Sequence, residues 1–150
     1  SVFYIGKPGN SSASDSNIMD FITIATTGNA QDFGDLTFTG RYGAGGSNSI
    51  RCIMLNGGSG GSGAGQIDFV NIATLGNATT FGELSRGETS VQLPFCATSP
   101  TRIVIGNGQN PQVNTMEYAQ IMTQGTFVDF GDATISNSAR CGFSNGHGGL

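Results

Sequence analysis

The residues of this 150-residue chain best suited to chemistry are its carboxylates, and they are not scattered. One set, Asp20, Asp68 and Glu117, sits at the centre of an apolar–acidic–aromatic triplet: Met19-Asp20-Phe21, Ile67-Asp68-Phe69 and Met116-Glu117-Tyr118. A second set, Asp35, Glu83 and Asp132, follows the pairs Phe33-Gly34, Phe81-Gly82 and Phe130-Gly131, with Asp32 and Asp129 nearby. Carboxylates mixed with Asn and backbone carbonyls are the hard oxygen donors that suit calcium, so an acidic ring is one chemistry this spacing allows. The other is internal: each acid serves its own unit, accepting backbone N–H bonds or pairing with Arg41, Arg51, Arg102 or Arg140. A residue that recurs once per unit is more simply needed to build the unit. The structural role is therefore expected, with no bound metal or other cofactor, and a chelator should leave the melting temperature unchanged. Arg51 and Arg102, just ahead of an apolar run, are expected to brace carboxylates.

Other catalytic patterns are absent from the sequence. His147 is the single histidine, so no second imidazole offers a zinc site, and no GxSxG nucleophile turn occurs. The stretch "GSGGSGAG" (58–65) lacks the Lys-Ser/Thr of a phosphate loop and reads as a flexible connection. Cys52, Cys96 and Cys141 are odd in number and far apart, which favours small buried apolar residues over a disulfide or metal framework. Asn10 and Asn77 match the glycosylation sequon, a match that matters only in a secretory context. No catalytic residue is assigned, and no enzyme activity is expected.

Composition narrows the partners. Six basic residues against ten acidic ones give a net charge of −4. A general nucleic-acid binder needs a basic face, and anionic membranes need one too; neither partner is expected. No apolar run approaches the roughly 18 residues of a membrane span. With 25 glycines and only 11% charged residues, long helices are disfavoured while the 37% apolar content argues against disorder.

The markers that carry the acids also expose the architecture. The three Phe-Gly pairs recur at spacings of 48 and 49 residues, and the phrase "NAQDFGDL" returns as "NATTFGEL" and, blurred, as "TFVDFGDA". Between triplet and phrase lie "ITIATTG", "VNIATLG" and "AQIMTQG". Alternating Ile, Val, Phe and Thr closed by Gly-Asn reads as strand and turn, and the phrase reads as the next strand. Upstream runs "VFYIG", "CIMLNGG" and "RIVIGNG" read as a further strand, and the Gly/Ser-rich spans before them could hold a fourth. The expected fold is all-β, with repeat units of about 48 residues at 1–50, 51–101 and 102–150 forming a single domain. The N-terminal strand could complete the last unit and so close a sheet edge.

These residues resemble the kelch motif: a strand ending in Gly-Gly, an apolar–acidic–aromatic strand, then a turn into an aromatic strand. "IMLNGG", "IDFVNIAT" and "FGEL" carry the likeness best. The usual Trp is replaced by Phe33, Phe81 and Phe130, which marks a divergent relative. "DFITIATTGNAQDFGDLT" is further similar to repeats of virion structural proteins from marine, especially cyanobacterial, tailed phages. The likeness spans nearly the whole chain but weakens in unit three, where Met122 and Gln124 interrupt the pattern. It implies four-stranded, propeller-like units. Propellers have 4–8 blades, so three units imply six blades across a dimer, a three-fold β-prism or β-trefoil monomer, or part of a longer array.

Function is expected in what does not recur. Insertions at 6–17, 85–100 and 106–115 are rich in Asn, Gln and Ser, suited to protein or carbohydrate contacts. The resemblance implies a non-enzymatic structural or assembly protein of a phage particle, a decoration, fibre or tail component assembled in the host cytoplasm. Its implied partners are other virion proteins or copies of itself in a homo-oligomer. The alternative is a lectin-like module that binds surface glycans.

Overall fold

A computed structural model describes residues 2–4 (backbone), 15–58, 65–86, 91–109 and 111–144. It is all-β, and every strand pairing in it is antiparallel. The first sheet holds β1 (Val2–Tyr4), β2 (Ser16–Phe21) and β3 (Gln31–Gly40). The second holds β4 (Ala44–Ser47), β5 (Arg51–Leu55), β6 (Gln66–Asn71) and β7 (Thr79–Glu83). The third holds β8 (Phe95–Thr98), β9 (Arg102–Gly106), β10 (Thr115–Gln120) and β11 (Val128–Asp132). Each sheet is a simple meander in chain order.

The Gly/Ser-rich spans do hold extra strands. β4 and β8 pair with the strands that follow them, so the second and third sheets begin before residues 51 and 102. β1 pairs with β2 inside the first sheet rather than with the last unit. That sheet therefore has three described strands where its neighbours have four.

The recurring Phe-Gly has a common geometric cause. In all three sheets the register slips at the acidic residue, between Met19 and Asp20, Ile67 and Asp68, and Met116 and Glu117. Met19 faces Gly34 while Asp20 faces Asp32, so Phe33 is the extra residue of a β-bulge, as are Phe81 and Phe130. The aromatic of each triplet then meets the bulged ring edge-on, Phe21–Phe33 at 6.0 Å, Phe69–Phe81 at 6.1 Å and Tyr118–Phe130 at 5.9 Å. Such pairs contribute about 0.5–1.5 kcal/mol beyond burial. Asp32 and Asp129 accept the N–H of Gly34 and Gly131 at 3.2 and 3.1 Å, fixing two of the bulges.

Burial shows how the sheets sit. One core cluster joins Phe33, Leu36 and Met19 of the first sheet to Cys52, Met54 and Val70 of the second. Another joins Ile53, Leu55 and Phe69 of the second to Ile103, Ile105 and Phe127 of the third. Alternate residues of β5 enter opposite clusters, so the second sheet is covered on both faces. That is why "CIML" is continuously apolar, as strands buried on both sides must be.

Candidate interaction surface

One contact between neighbouring units is made twice. The turn before β7 lies along the outer edge of β3: Gly76 N–H donates to Phe33 O at 2.9 Å and Ala78 N–H to Asp35 O at 2.8 Å. The turn before β11 repeats this on β7, with Gly125 N–H to Phe81 O at 3.0 Å and Phe127 N–H to Glu83 O at 2.9 Å. The approach is so close that a Cβ on Gly34 would overlap the Gly76 carbonyl, and one on Gly82 the Gly125 carbonyl. Ala78 and Phe127 then cover the bulged Phe of the preceding unit, and Phe33 and Phe81 are only 4% and 2% exposed.

The triplet acids lock this contact. Asp68 is fully buried and accepts from Thr37 of the preceding unit, from its N–H at 2.7 Å and its hydroxyl at 2.8 Å. Glu117, also buried, accepts from the Ser85 hydroxyl and from Arg86 N–H at 3.1 Å, with Arg86 Nε 3.6 Å from its other oxygen. Each buried acid thus serves the neighbouring unit rather than its own, which departs from the sequence expectation. An unpaired buried carboxylate is costly, so these positions are fixed by desolvation together with hydrogen bonding. Asp20, the third member, is half-exposed; its backbone pairs with Phe3 and Asp32, and its carboxylate accepts no hydrogen bond from a described residue. Asp35 is half-buried, and Glu83 and Asp132 are exposed.

The arginines depart from expectation too. Arg51 stacks on Phe69, 4.4 Å from the ring centre, and donates to Ile121 O at 3.2 Å; Arg102 lies 5.0 Å from the Tyr118 ring. Among the described residues their bracing partners are aromatic faces and, for Arg51, a backbone carbonyl. Arg41 does pair with an acid, Asp15, at 3.3 Å. Arg86, Thr37 and Ser85 were not singled out from the sequence. A signal existed: a hydroxyl residue follows the bulged Phe by the same interval in "FGDLT", "FGELS" and "FGDAT".

A second inter-unit ladder runs through the connections ahead of β4 and β8. Leu93 N–H donates to Tyr42 O and Ala139 N–H to Leu93 O, both at 2.9 Å, and all three residues have positive φ. Beyond them β4 packs beside β8. The segment after Ala139 in turn lies against β8, where Ser144 donates its hydroxyl to Thr98 O and a Cβ on Gly142 would strike Cys96 O.

Cys52 is buried and Cys96 half-buried against the core; desolvation raises their thiols to about 11 and about 12. Cys141, by contrast with the expected burial, is exposed, because it lies on this last outer segment. Among the described residues no group of three His, Cys, Asp or Glu converges for a metal. Of the insertions, 6–14, 87–90 and 110 lie outside the described residues, as do His147 and most of the 58–65 span. In the second insertion Val91 and Gln92 are buried and Phe95 opens β8.

Two clefts flank the turn after β2. One of about 530 Å³ separates Ile22, Ile24 and Phe33 from Ile72 and Leu75. The other, about 250 Å³, is lined by Phe21, Thr23, Thr26, Thr27, Asn29 and Gln31. No protein-family model matches the chain, and no curated protein matches it significantly.

Proposed function

We propose that this chain is a non-enzymatic structural protein whose repeated sheets serve as a protein-interaction scaffold. We place it in a phage particle as a decoration, fibre or tail component acting on other virion proteins. The observation that carries the reading is the use of the triplet acids. Asp68 and Glu117, the two buried carboxylates of the triplets, are spent on holding the neighbouring unit through its hydroxyls and N–H groups. The resemblance of "DFITIATTGNAQDFGDLT" to phage virion repeats supplies the setting. Co-sedimentation with purified capsids and tails tests it: retention by one of them is expected, and free protein throughout overturns the reading.

A specific observation supports a second reading, a glycan-binding module. The smaller cleft pairs the Phe21 ring with hydroxyl and amide side chains, a combination suited to a sugar ring and its hydroxyls. A glycan array decides between them, since binding there that is lost in Phe21→Ala favours the lectin.

A further inference from the structure

The contact between units is asymmetric. Its donor side is a Gly turn and a triplet acid; its acceptor side is a bulged strand edge followed by a hydroxyl. Two internal boundaries use up two of each, and one half remains at either end. The first unit presents an undocked donor side: Gly28 corresponds to Gly76 and Gly125, Ala30 to Ala78 and Phe127, and Asp20 to Asp68 and Glu117. The third presents an undocked acceptor side: the edge of β11, Phe130 and Asp132, then Thr134 in the place of Thr37 and Ser85.

Exposure at the two ends follows this arrangement. Phe130 is 50% exposed where Phe33 and Phe81 are buried, and Thr134 lies open. A Cβ on Gly131 would meet nothing, in contrast to Gly34 and Gly82. At the opposite end residues 22–30 are all exposed. The strand count among the described residues agrees. There the residues after Ala139 stand to β8 as β8 stands to β4 but belong to no described sheet, while β1 is the edge of a sheet with three described strands where its neighbours have four. Phe143, at 90% exposure, lies on that segment.

We infer that a second copy of this chain docks head to tail, with the Gly28 turn of one copy on the β11 edge of the other. In that contact Gly28 and Ala30 N–H donate to Phe130 and Asp132 carbonyls. Asp20 accepts from the Thr134 N–H and hydroxyl. Residues 141–144 add to the partner's first sheet beside β1, with Phe143 opposite Val2 by extension of the β8–β9 register. A head-to-tail contact makes a ring where its rotation closes, and two copies of three sheets give six, within the range of closed propellers. This assembly rests on the scaffold reading, but its failure is separable from that reading.

The test uses two variants, one at each end. Ala30→Pro removes an N–H from the donor turn, and Thr134→Asp sets a carboxylate against Asp20 of the next copy. Both positions are exposed, and an unchanged circular dichroism spectrum and cooperative melt of each variant at high dilution show that it still folds. Native mass spectrometry and sedimentation are expected to give a dimer for the unsubstituted chain and monomers for either variant alone. An equimolar mixture of the two should again give dimer, because one intact contact pairs the donor end of Thr134→Asp with the acceptor end of Ala30→Pro. A monomeric unsubstituted chain across the micromolar range overturns the inference. So does a dimer that survives both substitutions, a mixture that stays monomeric, or an open ladder of longer assemblies. Capsid or tail retention by a monomeric chain would sink this contact and leave the scaffold standing; a dimer that binds neither would do the reverse.

Discussion

Asp68 belongs to the second sheet, yet its carboxylate accepts from Thr37 of the first, 2.7 Å from the backbone N–H. The acid is fully buried and the bond is charge-assisted. Truncation strands the Thr37 N–H and removes the pair at once, so Asp68→Ala should cost about 2–4 kcal/mol. Asp20→Ala deletes the corresponding acid where no described partner meets it, and should stay within about 0.5 kcal/mol. Urea denaturation at a dilution where copies are apart measures both. Equal effects would mean that the position serves its own sheet.

Glycine matters here through closeness of approach more than through turn geometry. Gly82→Ala drives a methyl into the Gly125 carbonyl, a backbone atom held by two flanking hydrogen bonds. A loss of about 3 kcal/mol or more is expected, at the upper end of overpacking costs. Gly28→Ala is the contrast, since it lacks both a close neighbour and a positive φ. It should be neutral or stabilise by about 0.4–1 kcal/mol through the unfolded chain. Thermal melts of the two variants check the order.

How far the sequence disclosed this architecture can be judged from the same residues. Strand identity and periodicity were legible because triplet, turn and Phe-Gly recur in register, and a bulge at a fixed place needs the same residues each time. The direction of the acids was not. Periodicity says that Asp68 and Glu117 do equivalent things, but not whether the partner lies in their own sheet or the next. Nor do spacing rules reveal that Arg51 faces a ring instead of a carboxylate. The difference between Phe33 and Phe130 was equally hidden, since the residue type is the same and only the presence of a following unit separates 4% from 50% exposure.

Alkaline pH should destabilise the fold through its two inner thiols. Burial disfavours the thiolate, lifting Cys52 from 9.0 to about 11 and Cys96 from 9.0 to about 12. The unfolded chain therefore loses these protons first, and stability falls as pH rises from about 9 toward 11–12. Below about pH 8 the two groups contribute no slope. The melting temperature should drop across that alkaline window, and less steeply in Cys52→Ala. In the unassembled protein at pH 8, maleimide should label Cys141 well before the other two, as read by peptide mass mapping.

Arg51 joins two strands and the turn after β10 without using a carboxylate. Its guanidinium lies 4.4 Å from the Phe69 ring centre, and one N–H reaches the Ile121 carbonyl of the third unit at 3.2 Å. A half-buried cation–π contact and one hydrogen bond together should make Arg51→Ala cost about 2 kcal/mol. Arg51→Lys keeps the charge but loses the planar stack, and should recover about half of that. Because both partners are uncharged, the loss should be the same in low and high salt. A carboxylate partner would behave otherwise, since screening weakens an ion pair at the surface. Denaturation of the three proteins at two ionic strengths separates these cases: a loss that shrinks markedly in high salt would assign Arg51 to an acid after all.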